Sequence, residues 1–224
     1  MDYFRNKKSS KRIIHLYDGV NVMTIEQFVN ELSLEKRKLC ENFYKNEDRK
    51  NNLITYLKEM EELKPRVLFV GEAPGYLGCA ITGIPFTDER VIKEYNCIPG
   101  SYVITGSQKE RSAKALWDVL KETDNVPLLW NAFPLHPYKE GNVRSNRKPT
   151  LSEKKEIGEK YIKYIIDLFH IEEVYAVGLQ AFDTLRSMDI EGFDKTKEKS
   201  YIRHPSYGGR KQCQEKIKEI FGIA

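Results

Sequence analysis

Three side chains with chemistry to offer stand at the ends of apolar runs. Glu72 follows V-L-F-V-G at 67–71, Asn131 closes V-P-L-L-W-N at 126–131, and His204 follows Y-I-R at 201–203. A carboxylate can steady a developing positive charge or hold a water, and an imidazole N–H can donate to a developing oxyanion. An amide donates and accepts together, which suits the edge of a nucleobase. Each also has an ordinary alternative. Glu72 could be solvated on a plain Gly-Pro reversal, Asn131 could satisfy loop backbone, and His204 could be structural. The surrounding residues favour chemistry. Pro74 fixes φ and Gly75 lets the backbone approach a ligand, while Ser206, Gly208 and Gly209 can meet phosphates through hydroxyl and N–H groups. His136, between Leu135 and Pro137, reads as filler.

Familiar alternatives are absent. The glycines at 71, 75 and 78 do not make G-x-G-x-x-G, and no G-K-[ST] follows them. There is no G-x-S-x-G elbow and no H-E-x-x-H pair.

The elements that must carry these turns alternate in type. Residues 24–63 read as helices, opened by Thr24 and Gln27 in a capping box. Short apolar strands are expected at 67–70, 126–133, 173–177 and 199–203. Helices are expected at 109–121, at 150–169 behind a second capping box (Thr150, Glu153), at 180–187 and at 212–221. Strands separated by helices imply crossover connections and a parallel sheet covered on both faces, an α/β fold. In such sheets the ligand crevice lies beyond the C-terminal strand ends, where the turns at 71–78, 131–138 and 204–210 all fall.

At 224 residues, with 40% hydrophobic and 31% charged content, the chain suits one well-packed soluble domain. No run approaches the roughly 18 apolar residues of a membrane span, and the polar, basic start lacks a signal core. The net charge of +4 is mild, but cations cluster at Lys7, Lys8, Lys11 and Arg12, at Arg144, Arg147 and Lys148, and at Arg203, Arg210 and Lys211. Any one cluster alone reads first as a solvated face. Cys40, Cys79, Cys97 and Cys213 form no C-x-x-C pair, which disfavours a zinc site and fits a reducing cytoplasm.

Taken together, G-E-A-P-G at 71–75, T-G-I-P-F at 82–86, N-A-F-P at 131–134 and H-P-S at 204–206 resemble the motifs of the uracil-DNA glycosylase superfamily in order and separation. The resemblance covers about two-thirds of the chain, from Val67 onward. It implies a three-layer α/β/α sandwich with a four-stranded parallel sheet over 65–224; residues 1–64, outside the resemblance, are expected to form an N-terminal helical elaboration with a flexible basic start. It further implies a monomer that flips a damaged base out of DNA and hydrolyses its N-glycosidic bond without a cofactor. Glu72 and His204 would be catalytic. Ala73 (through backbone N–H groups), Phe86 and Asn131 would hold the base, and Ser206, Tyr207, Gly208, Arg210 and Lys211 would meet DNA.

The departures narrow the likeness. The cysteines do not match the iron–sulfur ligand pattern of the branch that shares G-E-A-P-G, so no cluster is expected. The spacing from Gly71 to Phe86 is closer to the single-strand-selective monofunctional enzymes. Those carry Asn where this chain has Ala73, leaving Glu72 to act by itself. Gly75 stands where the strictest uracil enzymes place a methyl-excluding Tyr, and Tyr76 comes one residue late. Two rivals therefore stay open beside uracil removal: release of another deaminated base, such as hypoxanthine or xanthine, and a DNA-binding protein without turnover.

Overall fold

The computed structural model describes residues 23–95 and 99–223. The basic cluster at Lys7, Lys8, Lys11 and Arg12, the flexible start expected there, and Cys97 lie outside the described residues. Four parallel strands form the sheet: β1 (Val67–Gly71), β2 (Leu128–Asn131), β3 (Glu173–Val177) and β4 (Tyr201–Ile202), in the spatial order β2-β1-β3-β4. Register pairs Gly71 with Asn131, Val70 with Ala176, and Val177 with Ile202. The C-terminal strand ends are thereby aligned along one edge.

Helices cover both faces. Helix α1 (Ile25–Leu34) starts at the Thr24–Gln27 capping box, with bonds of 3.2 and 2.8 Å. Asn42 ends it by donating to the carbonyls of Leu32 and Glu35, two acceptors at the helix end. Helix α2 (Glu47–Leu63) follows. Two long stretches of helix are thus separated by a folded corner, where Cys40–Glu41 pairs antiparallel with His136–Pro137. Beyond the first strand come α3 (Arg111–Leu120), α4 (Glu159–Phe169), α5 (Leu179–Arg186) and α6 (Arg210–Phe221). The second capping box forms as expected at Thr150 and Glu153, and the chain enters α4 through one wide turn, Lys154–Gly158.

Side-chain alternation along β1 and β2 explains the layering. Trp130 faces Phe28 of α1, which also meets Tyr161 of α4 edge-on, while Phe69 points the other way towards Phe221 of α6. The edge strand β2 is shielded by the N-terminal layer: the Tyr56 hydroxyl of α2 accepts the Leu129 N–H at 2.8 Å. Helices and sheet share one continuous apolar core.

The last expected strand is shorter than its pattern suggested. Residues Lys197–Ser200 form a helical turn and only Tyr201–Ile202 pair in the sheet. Asp194 is responsible, accepting from both the N–H and the hydroxyl of Thr196 and pairing with Lys199, which winds the chain before it can extend.

Candidate active site

The end of β1 is built around a missing side chain. A Cβ on Gly71 would stand 2.4 Å from the Phe86 ring and 2.9 Å from Asn131 Oδ1, so only glycine lets these two groups converge. Phe86 reaches this place from a positive φ of 52°, a conformation that the surrounding turn must impose. Trp117 Nε1–H donates to the Phe86 carbonyl at 3.1 Å. The Thr82 hydroxyl donates to the Thr87 carbonyl at 2.7 Å, tying down T-G-I-P-F from the inside. On the neighbouring strand, Ala132 N–H donates to the Gly71 carbonyl at 2.7 Å and Phe133 N–H to that of Glu72 at 3.0 Å. The ladder therefore outlasts the strands and carries Asn131 into register with the first turn.

Asn131 is only 5% exposed. Its Nδ2 lies 3.8 Å from Cys79 Sγ. Glu72 is half-buried, and its Oε1 is buried without a protein partner. Burial raises the pKa of this carboxyl above the ordinary carboxylate value, against the opposing pull of Lys154 and Lys148. His204 leaves β4 with Nδ1 accepting the Ser206 N–H at 3.2 Å. That bond puts the ring proton on Nε2. The ring lies against Gly178, at φ +97°, where an added Cβ would come within 3.3 Å of it. Burial, and then Arg203, hold the His204 pKa below its usual value, favouring the neutral imidazole.

These groups line one cavity of about 350 Å³. Of the residues singled out in the sequence, Glu72, Ala73, Phe86, Asn131, His204 and Tyr207 face it. Ser206, Gly208, Arg210 and Lys211 do not; they lie on the turn and helix beyond His204. Tyr207 is 98% exposed and sits at a positive φ of 52°. Arg210 pairs with Asp118, and Lys211 lies 3.7 Å from Glu215. His136 is buried away from the cavity wall, as its apolar neighbours suggested. It is more than filler, with ring nitrogens 2.8 and 3.0 Å from the carbonyls of Pro74 and Val143.

The cavity also holds a residue that sequence reasoning missed. Glu110 precedes α3, its N–H donating to buried Asp88 at 2.6 Å and its carboxyl accepting the Ser112 hydroxyl at 2.5 Å. The carboxyl occupies the space that a side chain at Gly78 would need. Burial raises its pKa above the usual range. Nothing around Glu110 in the sequence marks it; the one hint is the glycine at 78.

Residues 57–220 match the family model of the Uracil DNA glycosylase superfamily. The chain belongs to that superfamily. All four motif turns fall inside the matched range, which begins within α2. The crystal structure of wild-type SMUG2 from Pedobacter heparinus has a similar fold, with a TM-score of 0.65 at 18% identity, over 88% of this chain and 95% of that one. No curated protein sequence matches the chain. As a superfamily member the protein is a DNA glycosylase, a hydrolase that acts on DNA. Among the described residues, no three His, Cys, Asp or Glu side chains are grouped to hold a metal ion. Among the same residues, no helix is long and apolar enough to cross a membrane.

Proposed function

We propose that this glycosylase releases uracil from DNA by hydrolysing its N-glycosidic bond. The observation that carries the reading is the convergence of the Asn131 amide, the Phe86 ring and the neutral His204 on one cavity. A base must leave the stack before its sugar bond is reachable, at a cost of a few kcal/mol. Stacking on Phe86 returns about 1–3 kcal/mol of that. Asn131 accepts from uracil N3–H and donates to O4, whereas cytosine offers an acceptor and a donor in the reverse places.

As the N1–C1′ bond breaks, its electron pair moves to the base and positive charge grows on the sugar. His204 Nε2–H donates to uracil O2, and Glu72 steadies the sugar or holds the water that attacks C1′. Backbone N–H groups near Ala73 help to hold the base. Tyr207, projecting from the rim, fills the gap left in the duplex. Ser206, Gly208, Arg210 and Lys211 meet phosphates. The proposed setting is base excision repair in the cytoplasm, by a monomer.

The test is release of free uracil from single-stranded and duplex oligonucleotides carrying one uracil, beside Glu72→Gln and His204→Ala. Release by the wild type and its loss in both variants is expected. Folded protein that binds the DNA tightly yet frees no uracil would sink the reading. Glu110 favours a second reading, because a further hydrogen-bonding carboxyl in the wall is not needed for uracil. Hypoxanthine and xanthine therefore belong in the same panel.

A further inference from the structure

The neighbouring cations Arg144, Arg147 and Lys148 do not form one group in the fold. Arg147 is largely buried, its guanidinium donating to both Glu153 oxygens at 2.6 and 2.8 Å and to the Tyr138 carbonyl at 3.1 Å. It holds the loop together. Arg144 and Lys148 are exposed instead, and Lys154, at the start of the wide turn into α4, is half-buried. None of these three side chains meets a carboxylate in an ion pair among the described residues.

The loop is tied to the turn that carries Glu72. His136 bridges them, with Nδ1 2.8 Å from the Pro74 carbonyl and Nε2 3.0 Å from that of Val143, next to Arg144. Arg147 N–H closes the loop on the Pro137 carbonyl at 3.1 Å. The wide turn presses on the same corner, because a Cβ on Gly158 would stand 2.2 Å from the Ala132 carbonyl, one residue past Asn131. Arg144, Lys148 and Lys154 are thereby held on the β2 flank of the cavity, and Glu72 feels the charges of Lys154 and Lys148. Arg210 and Lys211 stand on the other flank, beyond β4.

We propose that Arg144, Lys148 and Lys154 form a second phosphate-binding patch, so that the DNA strand is gripped on both flanks of the cavity. This inference rests on the reading in which Glu72 faces the sugar. Positive charge grows there as the bond breaks, and uncompensated cations beside Glu72 would oppose it. Phosphates of the bound strand neutralise them and leave Glu72 to act on the sugar. The spacing fits two separate grips. From β2 to β4 is three strand steps, about 14 Å in all, whereas DNA advances about 3.4 Å per nucleotide. The two patches therefore meet different phosphates.

The experiment titrates undamaged duplex DNA across a salt series, with wild type, Arg144→Ala, Lys148→Ala, Lys154→Ala and the triple variant. Arg66→Ala is the control for lost charge, since Arg66 stands before β1 at the opposite edge of the sheet with its side chain 73% exposed. Melting curves establish that each variant is folded. Each single variant is expected to bind a few-fold more weakly and to lower the slope of log Kd against log salt by about 0.9. The triple variant should lower it by about two to three, and Arg66→Ala should keep the wild-type slope. Adding Lys211→Ala to the triple variant should remove about 0.9 more. A triple variant with the slope of wild type overturns the proposal, as does one matched by an equally shallow Arg66→Ala. A combination no shallower than the triple variant overturns the grip on two flanks. Because the probe carries no uracil, protein that shows these slopes yet releases no uracil overturns the substrate reading alone.

Discussion

The inner wall of the cavity and its rim are held in different ways. Inside, Gly71, Phe86 and Asn131 are packed against one another, and the Phe86 carbonyl and the Ser206 N–H both have protein partners. At the rim, Tyr207 is almost wholly exposed, and the side chains of the nearby cations Arg210 and Lys211 are themselves largely exposed, so solvent and salt can loosen their pairings. The interior gains by having one geometry, since interactions with a developing charge are strongest when no reorganisation is needed. The rim gains by adjusting to a flexible polymer. Substitutions inside should therefore change turnover, and substitutions outside should change grip.

The largest effect is expected from His204→Ala. Removing one preorganised donor lowers kcat by about 10²–10³-fold, while affinity measured by DNA titration stays close to wild type. A matching loss of affinity would erase the distinction between wall and rim. Gly71→Ala comes next, because its Cβ would stand 2.4 Å from the Phe86 ring. Overpacking of that kind costs about 1–3 kcal/mol. A lower melting temperature together with roughly hundredfold slower base release is expected, at the scale of a displaced oxyanion donor. Normal activity would mean that the Phe86 ring is free to move aside.

The third prediction concerns pH. Glu72 titrates above its ordinary 4.5 because of burial, so its ionised form is lost early as pH falls. The acid limb of kcat/KM should lie above 4.5, with about a tenfold fall per pH unit below the midpoint. A limb at or below 4.5 would place the essential base elsewhere. The sign for stability is the reverse of that for activity. A carboxyl whose folded pKa exceeds its unfolded value binds its proton more tightly when folded, so it destabilises the fold as pH rises through that value. Glu72→Gln should accordingly melt higher than wild type at neutral pH. The smallest effects belong to the rim. Arg210→Ala and Lys211→Ala should each weaken DNA binding a few-fold and reduce the slope of log Kd against log salt by about one, with kcat preserved. A large fall in kcat from either would move it into the inner wall.

How much of this was legible in the sequence depended on the range of the interaction. Glu72, Asn131 and His204 each follow an apolar run, and a parallel sheet must align such ends, so their meeting could be read from order alone. The capping boxes at Thr24 and Thr150 were legible because both partners lie within one turn. Glu110 was not, because it is placed by Asp88, 22 residues earlier. The Cys79 contact of Asn131 spans 52 residues, and the Tyr56 cover over β2 spans 73. Periodicity places such residues on a face of a helix or strand but does not say which distant group they meet. The shortened β4 is a local miss of another kind, where Asp194 and Thr196 made a turn that the apolar pattern does not record.

The bond from the Trp117 indole to the Phe86 carbonyl also has a spectroscopic consequence. The chain has two tryptophans. One holds the aromatic platform by that bond, and the other, Trp130, directly precedes Asn131 in β2. Both indoles are fully buried. Tryptophan emission, excited selectively over the tyrosines, therefore comes from these two residues alone. A base seating against Phe86 alters the field around both emitters, so rapid-mixing fluorescence can time base capture separately from bond cleavage without attaching any dye.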